Sequence, residues 1–478
     1  MITVRTRFAP SPTGLLHIGN ARAAFYSALY AKQANGVFIL RIEDTDLARS
    51  DTQYVDSLQE DLHWLGIHWQ EGLGVDGQHG PYWQSQRHAI YLHYYELLVQ
   101  KNLTYPCFCS EEELALERKL QLSRGHAPRY RGTCRSLSAA EIEQRLAKGL
   151  KPTLRFRVPA QEEIQFIDLI KGPQKFNSAD IGDFIIRRAD GTASFMFCNA
   201  IDDALMLVSQ VLRGEDHLAN TPRQLMIMRA LGLQQPQYGH LAMITGDDGT
   251  PLSKRHGSYS LSDLRTKGYL PLAITNYLGR LGHGYESLQL LSFEALARDF
   301  NVNKISRSAA HFDLNQLLHW QKMAVSALDG TALWKWLGPV IQKQVPEKMQ
   351  DKFVEAVKPN ICFPEDAVKW AAILFHHRLH FSAEDIQILR QAGEQFFVEA
   401  EQAVESYGTD FKNILNEIKK ALNLSGKNLY MPLRIALTGQ VGGPELAQVA
   451  DLLGPERMRE RFSRAFHIAS GKEDAQTL

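Results

Sequence analysis

The first half of the chain alternates short apolar runs of strand length with longer amphipathic stretches, the pattern of a sheet covered by helices. An apolar-leaning run at 2–9 predicts a first strand. Pro10, Pro12 and Gly14 then turn the chain, and helical spacing follows over about 19–31. Residues 37–42 read as a buried strand and 50–65 as a helix opened by Ser50 and Asp51. Around 105–135 the pattern breaks into an excursion containing Cys, Gly and Pro, after which strand-like pieces return at 153–158, 183–188 and 194–198. This predicts an insertion between two halves of one α/β unit. After Pro251 strands largely disappear, and from Leu261 the periodicity is helical, for example over 367–379, 383–404 and 410–422. There is no internal repeat and no low-complexity segment.

A chain of 478 residues exceeds a single core and predicts roughly three to five domains. Its 44% apolar and 22% charged content is that of an ordinary globular protein. The formal net charge is zero, so any nucleic-acid partner must be held by local basic patches instead of a global field. No basic region precedes an N-terminal apolar stretch and no run of eighteen apolar residues occurs, which predicts a protein that neither leaves the cell nor spans a membrane. The five cysteines, Cys107, Cys109, Cys134, Cys198 and Cys362, are few and odd in number, which suits a reducing cytoplasm better than a disulfide scaffold.

Two segments carry candidate chemistry. Phe8-Ala-Pro-Ser-Pro-Thr-Gly-Leu-Leu-His-Ile-Gly-Asn20 joins the first strand to a helix, which presents backbone N–H groups to phosphate at the helix N-terminus. His17 stands just before that helix, where its ring can donate to phosphate oxygens, and Gly19 leaves room for a base close to the backbone. Pro251-Leu-Ser-Lys-Arg-His-Gly-Ser258 offers Lys254 as a cation for charge developing on phosphate. Together they describe an ATP site.

The pair resembles the His-Ile-Gly-His and Lys-Met-Ser-Lys-Ser signatures of class I aminoacyl-tRNA synthetases. Arg7-Phe-Ala-Pro-Ser-Pro-Thr-Gly14, Arg41-Ile-Glu-Asp-Thr-Asp46, Val211-Leu-Arg-Gly-Glu-Asp-His217 and Met431-Pro-Leu-Arg-Ile-Ala-Leu-Thr-Gly439 narrow the resemblance to bacterial-type glutamyl-tRNA synthetases, over the length of the chain. It implies an α/β Rossmann-like catalytic domain split between 1–92 and 196–248, with an acceptor-end-binding domain inserted at 93–195. It further implies a stem-contact domain with the Ser-Lys-Arg loop at 249–322 and an all-helical anticodon-binding region at 323–478. The implied activity is ATP-dependent ligation of L-glutamate to the 3′ end of tRNA through a glutamyl adenylate, with Mg2+ accompanying ATP, by a cytoplasmic monomer. The resemblance also implies that tRNA binds before adenylate formation becomes efficient.

A glutamate side chain calls for a planar, bidentate cation and its α-ammonium for a carboxylate. Arg7 and Arg213 match the family's arginines facing the side-chain carboxylate, Glu43 its ammonium partner, and Ala9, Ser11, Phe195 and Asn199 further pocket positions. His17 and Lys254 match the catalytic residues, and Gly19, Asn20, Asp216, Leu252 and Ser253 complete the implied ATP site. Taken singly, such arginines and acids more often form surface ion pairs. Their place inside these motifs reverses that preference.

Cys107, Cys109 and Cys134 offer most of a tetrahedral zinc site, and the resemblance supplies Tyr130 as fourth ligand. A phenol is an unusual ligand, so His126 is the chemically easier alternative, and three metal-free thiols are the bland one. Such a zinc would brace the insertion without taking part in catalysis. The chain departs from the family at Phe195, where many relatives carry tyrosine, and at Pro251, which replaces the first lysine of the second signature. Asn20 stands at the second histidine position of the first, and 311–320 reads loosely for a stem-contacting stretch. Phe195 and Pro251 keep open the alternative of a degenerate tRNA-binding relative, and the unplaced anticodon-reading side chains between Leu317 and Leu478 keep open a paralogue charging tRNA for glutamine. His376, His377 and His380 share one predicted helix, and Trp334 and Trp336 a helical segment; a packed or solvated face explains both groups better than metal or base stacking does, whereas for Arg457, Arg461 and Arg464 on one helical face a solvated face and RNA contact explain the pattern equally well.

Overall fold

A computed structural model describes residues 3–45, 50–75, 77–246, 248–252, 260–376 and 379–472. The chain separates into one unit formed by Met1–Thr266 with Pro271–Leu317 and a second formed by Lys267–Leu270 with Leu318–Leu478.

The first unit grows from a parallel sheet. β1 (Arg5–Phe8), β2 (Val37–Leu40) and β3 (Glu71–Gly72) pair in that order, and the helix Ile18–Gln33 crosses from β1 to β2. That helix buries Ala21, Ala24, Phe25, Ala28 and Leu29 because these positions repeat at helical spacing on its sheet-facing side. The chain then leaves the sheet. β4 (Thr104–Cys107), β5 (Thr153–Phe156), β6 (Glu163–Asp168), β7 (Gly172–Asn177) and β8 (Phe184–Arg187) make a three-stranded antiparallel sheet, β4-β5-β8, and a separate β6–β7 hairpin. It returns through β9 (Gln210–Gly214) and β10 (Gln237–Leu241), which pair in parallel. Ser209 N–H donates to the Arg5 carbonyl at 2.8 Å, so β9 lies beside β1 and the spatial order is β3-β2-β1-β9-β10. The chain reverses its order of travel between β1 and β9, and crevices form at the carboxyl ends of such strands. β11 (Ile244–Thr245) pairs with β12 (Ala310–His311).

The segment 194–198 is not a strand. Ser194 is extended, but Phe195–Leu205 is a helix whose buried Phe197, Cys198, Ala200, Ile201 and Ala204 recur at helical spacing. Five residues were too short a window to tell a buried helix from a strand.

In the second unit helices enclose one apolar core that includes Phe353, Trp370, Phe396, Phe397, Leu433 and Phe462. The predicted helix over 383–404 is two, Ala383–Ala392 and Glu394–Tyr407, because Gly393 sits at φ 82° between them. Another helix, Pro364–Phe375, ends before His376, whose backbone is extended; His377 lies outside the described residues, so no single helix carries the three histidines. Its terminal carbonyls are taken by side chains: Arg461 donates to Ile373 at 2.5 Å and Arg457 to Leu374 at 3.0 Å. Arg464 likewise donates to the Leu379 carbonyl at 3.0 Å. These arginines are therefore structural caps instead of a solvated face. Trp334 and Trp336 pack on the apolar core, and Trp336 Nε1 donates to the Gly268 carbonyl at 3.0 Å.

Candidate active site

The carboxyl ends of β1 and β9 open onto a cavity of about 580 Å³. Arg7, Ala9, Ser11, Glu43, Phe195, Asn199 and Arg213 line it, together with His17, Gly19, Asn20, Asp216 and Leu252. Ser253 and Lys254 lie outside the described residues. The convergence has a backbone cause. Arg41 N–H donates to the Phe8 carbonyl at 3.0 Å and Glu43 N–H to the Pro10 carbonyl at 2.9 Å, which clips the loop after β2 to the loop after β1.

One end of the cavity is a buried charge network. Asp203 accepts from Arg7 Nε at 3.2 Å and Arg41 Nη1 at 2.7 Å, and Arg41 Nη2 reaches Glu43 Oε1 at 3.1 Å. Asn199 Nδ2 donates to the same Glu43 oxygen, and its own carbonyl accepts from Gln224 Nε2 at 2.9 Å. Burial holds the Glu43 carboxyl above its usual value despite the pull of Arg41 and Arg7, so an arriving cation would be welcome there. Arg213 is locked on its outer side: Nε donates to His240 Nε2 at 3.2 Å, and Nη2 donates to Thr221 Oγ1 at 2.7 Å and to Gln224 Oε1 at 2.8 Å. Its Nη1 is buried without a partner among the described residues. Burial lowers the Arg213 value to about 10, which still leaves the guanidinium charged at neutral pH. A buried, unpaired N–H donor on a cavity wall is costly unless a ligand satisfies it.

The other end is built for a polyanion. His17 is the N-cap of the Ile18–Gln33 helix, makes no capping bond with its side chain, and keeps a buried Nδ1 without a partner. A side chain placed on Gly19 would meet open space, so its absence serves something other than protein packing. Leu252 N–H donates to the Ile244 carbonyl at 2.9 Å, while Leu261 N–H donates to the Leu16 carbonyl at 2.9 Å beside a bridge between His17 and Ser260. Both flanks of the second signature are thereby fixed at the cavity, with Lys254 two residues beyond Leu252.

Comparison with known proteins decides what this arrangement belongs to. Residues 3–319 match the family described as tRNA synthetases class I (E and Q), catalytic domain, and 330–466 match an anticodon binding domain. The chain is 54% identical over 462 residues to "Glutamate--tRNA ligase 2" of Coxiella burnetii (strain RSA 331 / Henzerling II), covering 97% of this chain and 99% of that protein. It is 52% identical over 459 residues to a protein of the same name from Nitrosococcus oceani, covering 96% and 97%. The chain belongs to the class I glutamyl-tRNA synthetases. A solved glutamate tRNA ligase from Elizabethkingia meningosepticum, in complex with its amino acid, superimposes with a TM-score of 0.87 at 28% identity, over 98% of this chain and 99% of that one. The protein is thus a glutamate–tRNA ligase with a class I catalytic domain and a helical anticodon-binding domain.

In this synthetase the inserted domain gathers a second constellation. The sulfurs of Cys107, Cys109 and Cys134 lie within 4.8 Å of one another, the only such metal-competent group among the described residues. The Tyr130 hydroxyl sits 3.4 Å from the Cys107 sulfur and 3.6 Å from that of Cys109, and accepts from Cys134 N–H at 2.8 Å. His126 is exposed and stands outside the cluster. Burial pushes the Cys107 thiol up, but hydrogen bonds from Tyr130 and Arg155 outweigh it and bring it to about 7. Burial drives Cys109 up to about 12, helped by the neighbouring Cys107 and Cys134.

Several residues of the site were not singled out from the sequence. Asp203, Thr221, Gln224, His240 and Asp168 all hold pocket side chains. Only Asp203 left a signal, as one of two acids inside the apolar run Ala200-Ile-Asp-Asp-Ala-Leu205.

Proposed function

We propose that this ligase activates glutamate in the cavity at the β1–β9 crevice, with Arg213 and Arg7 on the side-chain carboxylate and Glu43 with Asn199 on the α-ammonium. The observation that carries the assignment is the Arg213 guanidinium, anchored through Nε and Nη2 on His240, Thr221, Gln224 and the His217 carbonyl while its buried Nη1 lacks a partner among the described residues. Ala9, Ser11 and Phe195 complete the pocket wall. His17 and Lys254 stabilise charge on the phosphates, and Gly19, Asn20, Asp216, Leu252 and Ser253 hold the nucleotide, with Mg2+ entering as part of the ATP substrate.

The α-carboxylate oxygen attacks the α-phosphorus, the bond to the β-phosphate breaks, and pyrophosphate leaves. A ribose hydroxyl of the terminal adenosine of tRNA then attacks the anhydride carbonyl, and AMP departs as the ester forms. The protein's part is positioning and electrostatics, so fixed donors such as Arg213 count for more than any proton-transfer group.

Cys107, Cys109, Cys134 and Tyr130 would hold a structural zinc ion, which supplies cross-linking of the insertion. Three sulfurs within 4.8 Å of one another, with the Tyr130 hydroxyl 3.4 and 3.6 Å from two of them and Phe108 N–H donating to the Cys134 sulfur at 3.5 Å, support that role. The reading also includes a cytoplasmic monomer; among the described residues no helix is long and apolar enough to cross a membrane. Aminoacylation with glutamate, ATP and, in separate arms, tRNA for glutamate and tRNA for glutamine tests it. Glutamyl ester on at least one tRNA, with AMP and pyrophosphate released, is expected; no ester on either refutes the reading.

A further inference from the structure

Asp168 lies at the end of β6 in the inserted domain, and His240 on β10 behind the glutamate pocket. Both side chains are fully buried, and His240 Nδ1 is 2.5 Å from Asp168 Oδ2. The other Asp168 oxygen accepts from the backbone N–H groups of Ile170 at 2.9 Å, Lys171 at 2.8 Å and His240 at 3.2 Å, so this carboxylate is fixed from three sides. The far nitrogen of His240, Nε2, faces Arg213 Nε at 3.2 Å and Thr221 Oγ1 at 3.0 Å.

These contacts admit one protonation state. An ionised carboxylate only accepts, so the proton at the short contact belongs to Nδ1. Nε2 then presents a lone pair to Arg213 Nε–H. Were Nε2 protonated, two N–H donors would face each other and an imidazolium would sit beside a buried guanidinium. The groups around the ring say the same: Arg213 faces Nε2, the Tyr238 ring stacks 6.1 Å away, the charge of Arg7 adds to that of Arg213, and Asp168 is the acid bonded to it among the described residues. Burial lowers the His240 value further.

We propose that Asp168 and His240 are positioning residues for glutamate, a relay in which Asp168 fixes the His240 tautomer and His240 fixes the rotation of the Arg213 guanidinium. The inference rests on Arg213 as the side-chain carboxylate partner and adds what aims it. Losing the relay leaves the charge of Arg213 in place but lets the guanidinium turn, so the aim of its Nη1 at the carboxylate suffers while the nucleotide end does not.

The test measures KM for glutamate, KM for ATP and kcat in Asp168→Asn, His240→Gln, His240→Leu and, as a reference, Arg213→Lys. In Asp168→Asn the amide can hydrogen-bond to either tautomer, so glutamate KM rises about tenfold, the worth of one weakened hydrogen bond to a charged group, with ATP KM within about twofold of the parent. His240→Gln keeps an acceptor for Arg213 Nε and stays closer to the parent than His240→Leu. A merely structural role would lower kcat or thermal stability without this split between substrates. If Arg213→Lys impairs glutamate use while Asp168→Asn and His240→Leu keep glutamate KM within about twofold, the relay is wrong and the pocket stands. If Arg213→Lys also leaves it unchanged, the pocket assignment falls and the relay with it.

Discussion

Phe195→Tyr should improve glutamate use, and the cavity says by how much. Phe195 opens the Phe195–Leu205 helix, one turn before Asn199, and both side chains line the pocket. Its ring packs 5.2 Å from that of His217, tilted by 33°, and is only partly buried. A tyrosine in the same rotamer would place a hydroxyl on the cavity wall. A hydrogen bond to a charged group is worth about 1.5–3 kcal/mol when sealed from water. The open cavity lets water compete, so the lower end applies, which corresponds to about a tenfold gain in kcat/KM for glutamate. The assay is initial-rate aminoacylation over a range of glutamate concentrations with ATP and tRNA saturating, and KM for ATP should not move. An unchanged or lower glutamate efficiency would mean that the pocket has been rebuilt around the Phe195–His217 ring contact, and the reading of Phe195 as a simple loss would fail.

Lys254→Ala should slow adenylate formation by about a hundredfold or more with little change in glutamate affinity, since it removes a cation from where charge develops; single-turnover rates within a few fold of the parent would strike Lys254 from the catalytic set. The purified protein should carry about one zinc per chain, lost in Cys109→Ser, by elemental analysis of material never exposed to chelator. Finding none would leave three packed thiols. Asp61 is buried with both oxygens unbonded; burial raises its value to about 6, against Arg265 at 3.7 Å and with Glu60 and Asp263 adding to the rise. The unfolded chain ionises Asp61 near pH 4 and the folded one only near pH 6, so the cost of burying it grows between those values and is complete above about pH 6; with a discount for partial solvent access, Asp61→Asn should stabilise the protein by about 2 kcal/mol at pH 8 and by almost nothing at pH 3. Equal effects at both pH values in denaturant unfolding would contradict this.

What the sequence made legible was local or signature-bound. Arg7 could be placed because it stands at the end of a strand recognisable from its own apolar run, and His17 because it precedes a helix with a clear start; Arg213 could be placed only through the signature Val211-Leu-Arg-Gly-Glu-Asp-His217, since the strand that carries it, Gln210–Gly214, was not read from the pattern. The misread segments share a cause. In 194–198 the window was shorter than two helical turns, and in 383–404 a single Gly393 interrupts an otherwise continuous pattern. The supporting shell was illegible for a different reason. Asp203 reaches Arg7 across 196 residues, Asp168 reaches His240 across 72, and Arg461 caps the Ile373 carbonyl across 88. No periodicity encodes such pairings, because they exist only once the sheet order is known.

On the proposed assignment, that shell predicts that a chain of zero net charge prefers the acid to its amide. Arg7, Arg41 and Arg213 are buried at one end of the cavity with Glu43 and Asp203, three cations against two anions. An uncompensated buried charge costs several kcal/mol. Glutamate brings two carboxylates and one ammonium, so its arrival completes the balance and satisfies Arg213 Nη1 in the same step. Glutamine, with one carboxylate and one ammonium, leaves the excess cation unmatched. Selectivity at this site is therefore a property of the whole cluster, and Asp203, which touches no substrate in this reading, sets it as much as the arginines do.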